Sequence, residues 1–214
     1  MAKVIVIGAG PAGIMAAITA AENHKVLLID SNEKIAKKLF ITGKGRCNVT
    51  NNCEVEDLLR AVMTNSKFLY SAFYTFNSQD MMALLEEAGV PLKTERGNRV
   101  FPQSDRSSDI IRGLERLMKK YDVHVRFRSE VREILTKDGA ATGISLADGE
   151  VQNADAVVVA TGGLSYPTTG STGDGYRFAQ ETGHKVTELS PSLVPLKTKE
   201  DYIPRLQGLS LKNT

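Results

Sequence analysis

The residues of this chain best suited to chemistry are a set of glycines and one carboxylate. Gly8-Ala9-Gly10-Pro11-Ala12-Gly13 follows directly on the apolar run Lys3-Val4-Ile5-Val6-Ile7, and Asp30 stands twenty residues past Gly10, closing a second apolar run, Lys25 to Ile29. Each residue type has a physical task. Gly8 permits a tight turn, Gly10 lacks a Cβ and lets the backbone approach a pyrophosphate, and Gly13 lets the next helix lie close on the sheet. Pro11 suits a first helical turn, where its missing N–H would have no partner. The amides of Ala12 and Gly13, with the positive helix end, then face phosphates. Asp30 offers acceptors to ribose hydroxyls and disfavours a 2′-phosphate. Set between a strand and a helix, with the acid at this distance, the pattern specifies a βαβ dinucleotide site.

The remaining elements must position that site. Residues 14–22 read as the crossover helix between two buried strands. Ser31 to Asn52 is polar, and its core runs Lys37-Lys38-Leu39-Phe40-Ile41-Thr42-Gly43-Lys44-Gly45-Arg46-Cys47-Asn48-Val49-Thr50-Asn51-Asn52. Such a loop is rich in N–H donors and suits a phosphate or a polar ring edge; a solvated basic loop is the other reading. The Gly43-Lys44-Gly45 spacing is not that of a Walker loop. Glu54 to Ala88 has helix-like apolar spacing with a cap at Asn77 or Ser78, and its phenylalanines are expected in the core. Segments 92–95 and 99–101 bracket Arg96-Gly97-Asn98 as a hairpin, and Ser104 or Ser107 caps a helix to Lys120. Residues 123–127 form a strand. Residues 130–136, 141–146 and 151–152 form a three-stranded meander with turns at Asp138-Gly139 and Asp148-Gly149. Ala154 to Ala160, apolar but for Asp155, reads as a strand of the buried parallel kind and runs into Thr161-Gly162-Gly163. The fold class is α/β, and this order of elements is similar to the FAD-binding domains of glutathione-reductase type.

Composition excludes several classes. The chain has 214 residues, 42% of them hydrophobic, no tryptophan and a net charge of +2. That charge gives no nucleic-acid footprint. Two cysteines, Cys47 and Cys53, make no disulfide framework and fit a reducing, cytoplasmic compartment. The glycines and Pro11 inside the apolar run from Val4 to Ala21 argue against a membrane segment. His24, His124 and His184 are scattered, and Cys47 and Cys53 lack zinc-pair spacing, so no metal site is expected. Cys47 reads as a small packing residue rather than a redox thiol.

Thr42-Gly43-Lys44-Gly45-Arg46-Cys47-Asn48-Val49-Thr50-Asn51 resembles the Thr-Gly-x-Gly-Arg-Cys-Asn-x-Thr-Asn signature of the BaiN/YhiN flavoproteins. This family is also described as NAD(FAD)-utilizing dehydrogenases or aminoacetone-oxidase-like proteins. Residues 160–176, Pro191-Ser192-Leu193-Val194-Pro195-Leu196 and Leu206-Gln207-Gly208-Leu209-Ser210-Leu211 resemble the same family, so the likeness covers the whole chain. It implies FAD bound in extended form. The glycine turn Gly8, Gly10, Pro11, Ala12 and Gly13 would hold the pyrophosphate, with Asp30 and Ser31 at the adenosine ribose. Lys38 with Thr42, Gly43, Gly45, Arg46, Cys47 and Asn48 would lie along the pyrophosphate and flavin side. Val131 would meet the adenine edge, and Ala160, Thr161, Gly162, Gly173 and Asp174 would line the remaining wall. Lys44 departs from the family, where many members carry glycine.

The resemblance further implies an FAD-binding domain over residues 1–190 and the beginning of a second, incomplete domain over 191–214. Its activity would be a hydride transfer between a small organic substrate and FAD, with NAD(P)H or oxygen as second partner. A non-catalytic or truncated flavin-binding module is the alternative, and the near-neutral charge counts against an RNA-modifying flavoprotein. Catalytic residues, substrate identity and oligomeric state are not legible. Asp30→Ala is expected to weaken FAD binding by roughly 1–3 kcal/mol, the worth of hydrogen bonds to a charged group. Calorimetric titration measures it, and an unchanged affinity removes Asp30 from the site.

Overall fold

The computed structural model describes residues 1–194 and 197–209. Pro195, Leu196, Ser210 and Leu211 of the family-like segments lie outside the described residues. The chain divides into two units, Met1–His184 and Lys185–Thr214. Within the described part of the second, regular structure is a single 3-10 turn, Ile203–Leu206. The following concerns the first unit.

Its centre is β1 (Lys3–Ile7), whose residues from Val4 onward are all buried. It pairs in parallel with β2 (Lys25–Ile29), Lys3 opposite Lys25 and Ile7 opposite Ile29. On its other side lies β9 (Ala156–Val159), also parallel. β5 (His124–Arg126) pairs in parallel outside β2, so the order across the sheet is β5-β2-β1-β9. A strand covered on both faces must be apolar throughout, which is why β1 and β2 read as unbroken runs.

Alternation along these strands sorts the side chains to two faces. Val4, Val6, Val26 and Leu28 pack with Ile14, Ala17 and Ile18 of α1 (Pro11–Ala21) and with Ile110, Leu114 and Leu117 of α6 (Ser107–Lys120). Ile5, Ile7, Leu27 and Ile29 pack with Val131, Ile144, Leu146 and Phe178. Those partners come from the antiparallel meander of β6 (Val131–Lys137), β7 (Ala140–Leu146) and β8 (Val151–Asn153), and from α7 (Asp174–Glu181). The unit is therefore three layers: helices, parallel sheet, then meander and α7.

Between β2 and β5 runs a long excursion. It holds α2 (Lys37–Ile41), α3 (Val55–Ala61), α4 (Tyr70–Thr75), α5 (Ser78–Glu87) and the hairpin of β3 (Leu92–Glu95) and β4 (Arg99–Pro102) before α6. Residues 54–88 form short helical pieces, broken where Asn65 takes a left-handed φ of 54°, and Asn77 starts α5, as expected, with a reciprocal cap to Asp80. Two expectations are corrected here. Phe68 and Phe76 are 79% and 40% exposed, so they are surface and not core. Arg106, not Ser104 or Ser107, occupies the cap position of α6, and the Ser107 hydroxyl instead donates to the Phe40 carbonyl.

β9 also departs from the expectation of full burial. It is the edge strand, and Ala156 and Val159 are exposed while Val157 and Val158 are half-buried. Its apolar run records a parallel strand, but strand order decides how much of it is covered.

One ion pair joins the layers beyond apolar packing. Arg126 on β5 donates through both terminal nitrogens to Glu150, 2.7 Å each, in the turn before β8. The guanidinium, helped by the Gln152 amide, lowers the Glu150 pKa from an ordinary 4.5 to about 2. A carboxyl depressed on folding stabilises the fold above its unfolded pKa, and that contribution is lost as pH falls through the folded value. Glu150→Gln is accordingly expected to melt below wild type at neutral pH, with the gap closing between pH 4.5 and about 2. Thermal melts across that range check this, and a gap that does not narrow refutes the assignment.

Candidate functional site: a dinucleotide cavity at the carboxyl end of the sheet

The site begins where β1 ends. Gly8 takes a φ of +105°, and a Cβ there would lie 2.5 Å from the Ala160 carbonyl oxygen. Gly13 sits one helical turn into α1, where a Cβ would come 1.8 Å from the Gly8 carbonyl oxygen. The helix start is thus pressed onto the strand end with no room for a side chain. At Gly10 the opposite holds: a Cβ would meet nothing within 4 Å, because the residue borders open cavity. Helix geometry leaves the Ala12 and Gly13 amides without intrahelical acceptors, and Pro11 at the first position has no amide to satisfy.

The cavity, of about 240 Å³, lies over the carboxyl ends of β1, β2 and β9. That is the crevice where open parallel sheets take ligands. Its volume falls below the roughly 300–1,000 Å³ of ligand pockets, and it opens to solvent. It is lined by Gly8, Gly10, Pro11, Ala12, Asp30, Ser31, Lys38, Val131, Ala160, Thr161, Gly162 and Asp174 of the expected residues. Gly13 stands behind the lining, against Gly8. Gly173 is the cap residue of α7 with a φ of +90° and packs on Leu164.

The remaining expected residues lie elsewhere. Thr42, Gly43, Gly45, Arg46, Cys47 and Asn48 do not line this cavity. Arg46 donates to Glu95 at 2.5 Å and to Asp105 at 2.6 Å, and its guanidinium lies 4.1 Å over the Phe101 ring. Lys93 completes the cluster, 2.7 Å from Asp105. Residues 49–52 run beside the β3–β4 hairpin, with Val49 and Asn52 amides donating to Val100 and Asn98. The loop is fastened to the hairpin through Arg46 and residues 49–52, while Thr42 to Gly45 are exposed. Lys44 is held at a φ of 57° between Gly43 and Gly45, also left-handed, which explains why glycine suits that position. Cys47 is 3% exposed, and burial raises its thiol pKa, partly offset by a hydrogen bond with Thr42, so it is a packing residue.

Several cavity residues were not singled out from sequence. The Ala9 amide donates to Asp30 Oδ2 at 2.6 Å, and Asn32 donates to Asp30 Oδ1 through its backbone at 2.8 Å and its side chain at 2.9 Å. Asp30 therefore fastens the glycine turn to the end of β2 in addition to facing the cavity. Lys34 and Lys37 join Lys38 in the lining, and Ser171 is a buried hydroxyl beside them. Basic residues soon after the acid were the visible signal; their orientation was not.

Two observations test whether these residues fit a dinucleotide. The Lys37 and Lys38 ammonium groups bond to neutral acceptors, Asn32 Oδ1 at 3.1 Å and Ser171 Oγ at 2.6 Å, which leaves their charge for an anion. The Thr161 hydroxyl is buried at the cavity wall and has no hydrogen-bond partner. A buried polar atom without a partner costs about 1–3 kcal/mol, so a ligand that supplies one is favoured there. Both fit a phosphate-bearing dinucleotide.

Fold and site together define a Rossmann-like FAD-binding domain. The chain belongs to the HI0933-like protein Rossmann domain family, whose model matches residues 2–204. It is similar to a 3-dehydro-bile acid delta(4,6)-reductase of Clostridium scindens, 31% identical over 98% of this chain and 51% of that protein. It is also similar to ribosomal RNA dihydrouridine synthases of Haemophilus influenzae, 31% identical over 98% of this chain and 53% of that one, and of Escherichia coli, 32% identical over 96% and 50%. The chain spans about half the length of these curated relatives. Among solved structures, a 3-ketosteroid-delta4-(5alpha)-dehydrogenase from Rhodococcus jostii superposes with a TM-score of 0.60 at 19% identity, over 77% of this chain and 46% of that one. Sdh1 of Mycobacterium smegmatis gives 0.61 at 22% identity, over 85% and 39%. These two show the fold.

The Arg46 cluster yields a direct test. Arg46→Leu is expected to loosen the loop at its anchor and expose the adjacent Cys47 thiol, whereas half-buried Cys53 reacts alike in both proteins. Ellman titration of the folded protein should show one readily modified thiol in wild type and two in the variant. Equal reactivity would mean that other contacts hold the loop.

Proposed function

We propose that this chain is the FAD-binding part of a flavin-dependent oxidoreductase that reduces a carbon–carbon double bond conjugated to a carbonyl. The observation that carries the reading is the cavity itself: an uncapped glycine turn at the head of α1, a carboxylate at the end of β2 and unneutralised lysines on one wall. When bound, FAD supplies hydride transfer; the protein supplies position and electrostatics. The Ala12 and Gly13 amides and Lys38 hold the pyrophosphate. Asp30 accepts from the adenosine ribose. The Thr161 hydroxyl and Gly162, which line the cavity, would border the bound cofactor, with the unpartnered hydroxyl offering it a hydrogen bond.

The substrate class comes from what the relatives' names have in common. A delta(4,6)-reductase acting on a 3-dehydro steroid and a dihydrouridine synthase both add two electrons and two protons across a double bond, and in both the bond is conjugated with a carbonyl. Conjugation polarises the far carbon toward hydride, and a proton then completes the neighbouring carbon. The two names also support RNA as an acceptor beside a small molecule. The net charge of +2 is a sum over the chain and says nothing of where basic groups cluster. NAD(P)H is the proposed reductant, with oxygen the competing acceptor.

The test is spectroscopic. The full-length protein that carries this chain is expected to show flavin absorbance that bleaches anaerobically with NADH or NADPH and returns on adding a conjugated steroid enone or a uridine-containing ribosomal RNA; the chain alone is expected to bind FAD weakly and to turn over neither acceptor. Failure to bind FAD overturns the cofactor reading. Reoxidation by oxygen alone, with neither acceptor active, overturns the substrate class.

A further inference from the structure

The Asn32 side chain touches three walls of the cavity. It is half-buried, two residues past the acid. Its side-chain amide nitrogen donates to Asp30 Oδ1 at 2.9 Å and to the Thr169 carbonyl at 3.3 Å. Its amide oxygen accepts from Lys37 Nζ at 3.1 Å. Its own carbonyl accepts from the Arg128 amide at 3.0 Å. Gly170, with a φ of +97°, lies so close that a Cβ there would be 2.5 Å from Asn32 Nδ2. The 169–171 turn, a hundred and more residues away in sequence, is thus moulded around this one amide.

The consequence falls on Asp30. A carboxylate has about four acceptor sites. Two on Oδ1 are filled by Asn32, and one on Oδ2 by the Ala9 amide, leaving one on Oδ2. The Asn32 side chain therefore fixes the rotation of the carboxylate and aims its remaining lone pair. Resting on the FAD reading above, we propose that Asn32 is a positioning residue for the adenosine end of the cofactor: it sets the Asp30 carboxylate to accept one ribose hydroxyl and ties it to the opposite cavity wall through Thr169.

No other residue type does this at the same size. Leucine removes both the donor and the acceptor. Aspartate keeps the shape but turns the donor into a second carboxylate against Asp30. Two carboxyls in contact take up a proton that separate ones would not. Once shared, that proton restores a donor toward Asp30. The other charged groups around this corner are Glu33, Lys34, Lys37 and Lys38 from α2 and the segment before it, Arg128 before the meander, Glu130 at its start, and Asp174 on α7; the 169–171 turn carries none. A hydrogen bond from its own backbone, then Lys37 and other nearby cations, hold the Glu33 carboxyl below its ordinary value. Their own titrations are common to wild type and variant and are removed by a wild-type titration over the same range; the Lys37 charge, 3.1 Å from the side-chain oxygen at position 32, favours the ionised carboxylate and moves the recovery to lower pH.

The experiment is equilibrium binding of FAD, and of ADP as a probe of the adenosine end, to wild type, Asn32→Leu and Asn32→Asp. Asn32→Leu is expected to weaken both ligands by the same factor, about tenfold or more. Asn32→Asp is expected to bind weakly near about pH 8 and recover toward wild type near about pH 5, with wild type nearly flat. A purely structural role predicts loss without pH recovery. Wild-type affinity in Asn32→Leu, or a flat profile in Asn32→Asp, overturns the inference. Should Asn32→Leu not fold, the pH profile of Asn32→Asp decides. A wild-type protein that binds neither FAD nor ADP overturns the functional reading itself, and this inference with it.

Discussion

The contact on which the site depends is between two glycines. Gly13 and Gly8 approach so closely that a single methyl on Gly13 would overlap the Gly8 carbonyl. That approach sets the first turn of α1 against the end of β1. It leaves helix amides pointing over the sheet's carboxyl edge, and it lets Gly8 touch Ala160 at the exit of β9. Three strand ends meet there because no side chain keeps them apart. The Asp30 carboxylate then holds the turn by its Ala9 amide, so one residue both shapes the cavity and faces it.

Charge in this protein falls into two groups with different fates. Arg46 and Lys93 are matched by Glu95 and Asp105 in a cluster that closes the hairpin over the 42–48 loop. Lys37 and Lys38 make their hydrogen bonds to an amide and a hydroxyl, and exposed Glu33 is the carboxylate near Lys37. A cation beside a carboxylate is nearly neutral at a distance, while a cation beside a neutral dipole keeps its field. The basic residues nearest the family-like signature are thus structural, and the less conspicuous ones before it are those that can meet phosphate. Several of the exposed apolar side chains, Phe68 and Tyr70 among them, belong to the excursion between β2 and β5, away from the sheet that builds the cavity.

The sheet also explains why a shared fold goes with different names among the relatives. The parallel strands and the glycine turn build the cavity at the sheet's carboxyl edge and carry no substrate chemistry of their own. What lies on the open side decides the acceptor, and a steroid and a nucleotide base need very different walls there.

Local sequence determined a great deal. The unbroken apolar runs of β1 and β2, the glycine spacing, the Asp-Gly and Gly-Asn turns and the cap at Asn77 each act within a few residues, so strands, hairpins and the dinucleotide turn were legible, with several strand ends shifted by one or two residues. Tertiary structure decided what depends on distant partners. Whether Val157 to Val159 is covered depends on strand order, which periodicity does not contain. Whether Phe68 is core depends on what packs against it. The direction of Arg46 is set by Glu95 and Asp105, and the part played by Asn32 by Thr169 and Gly170. A short-range pattern fixes the backbone because its forces are short-range; the use of a side chain is fixed by whichever groups the fold brings to it.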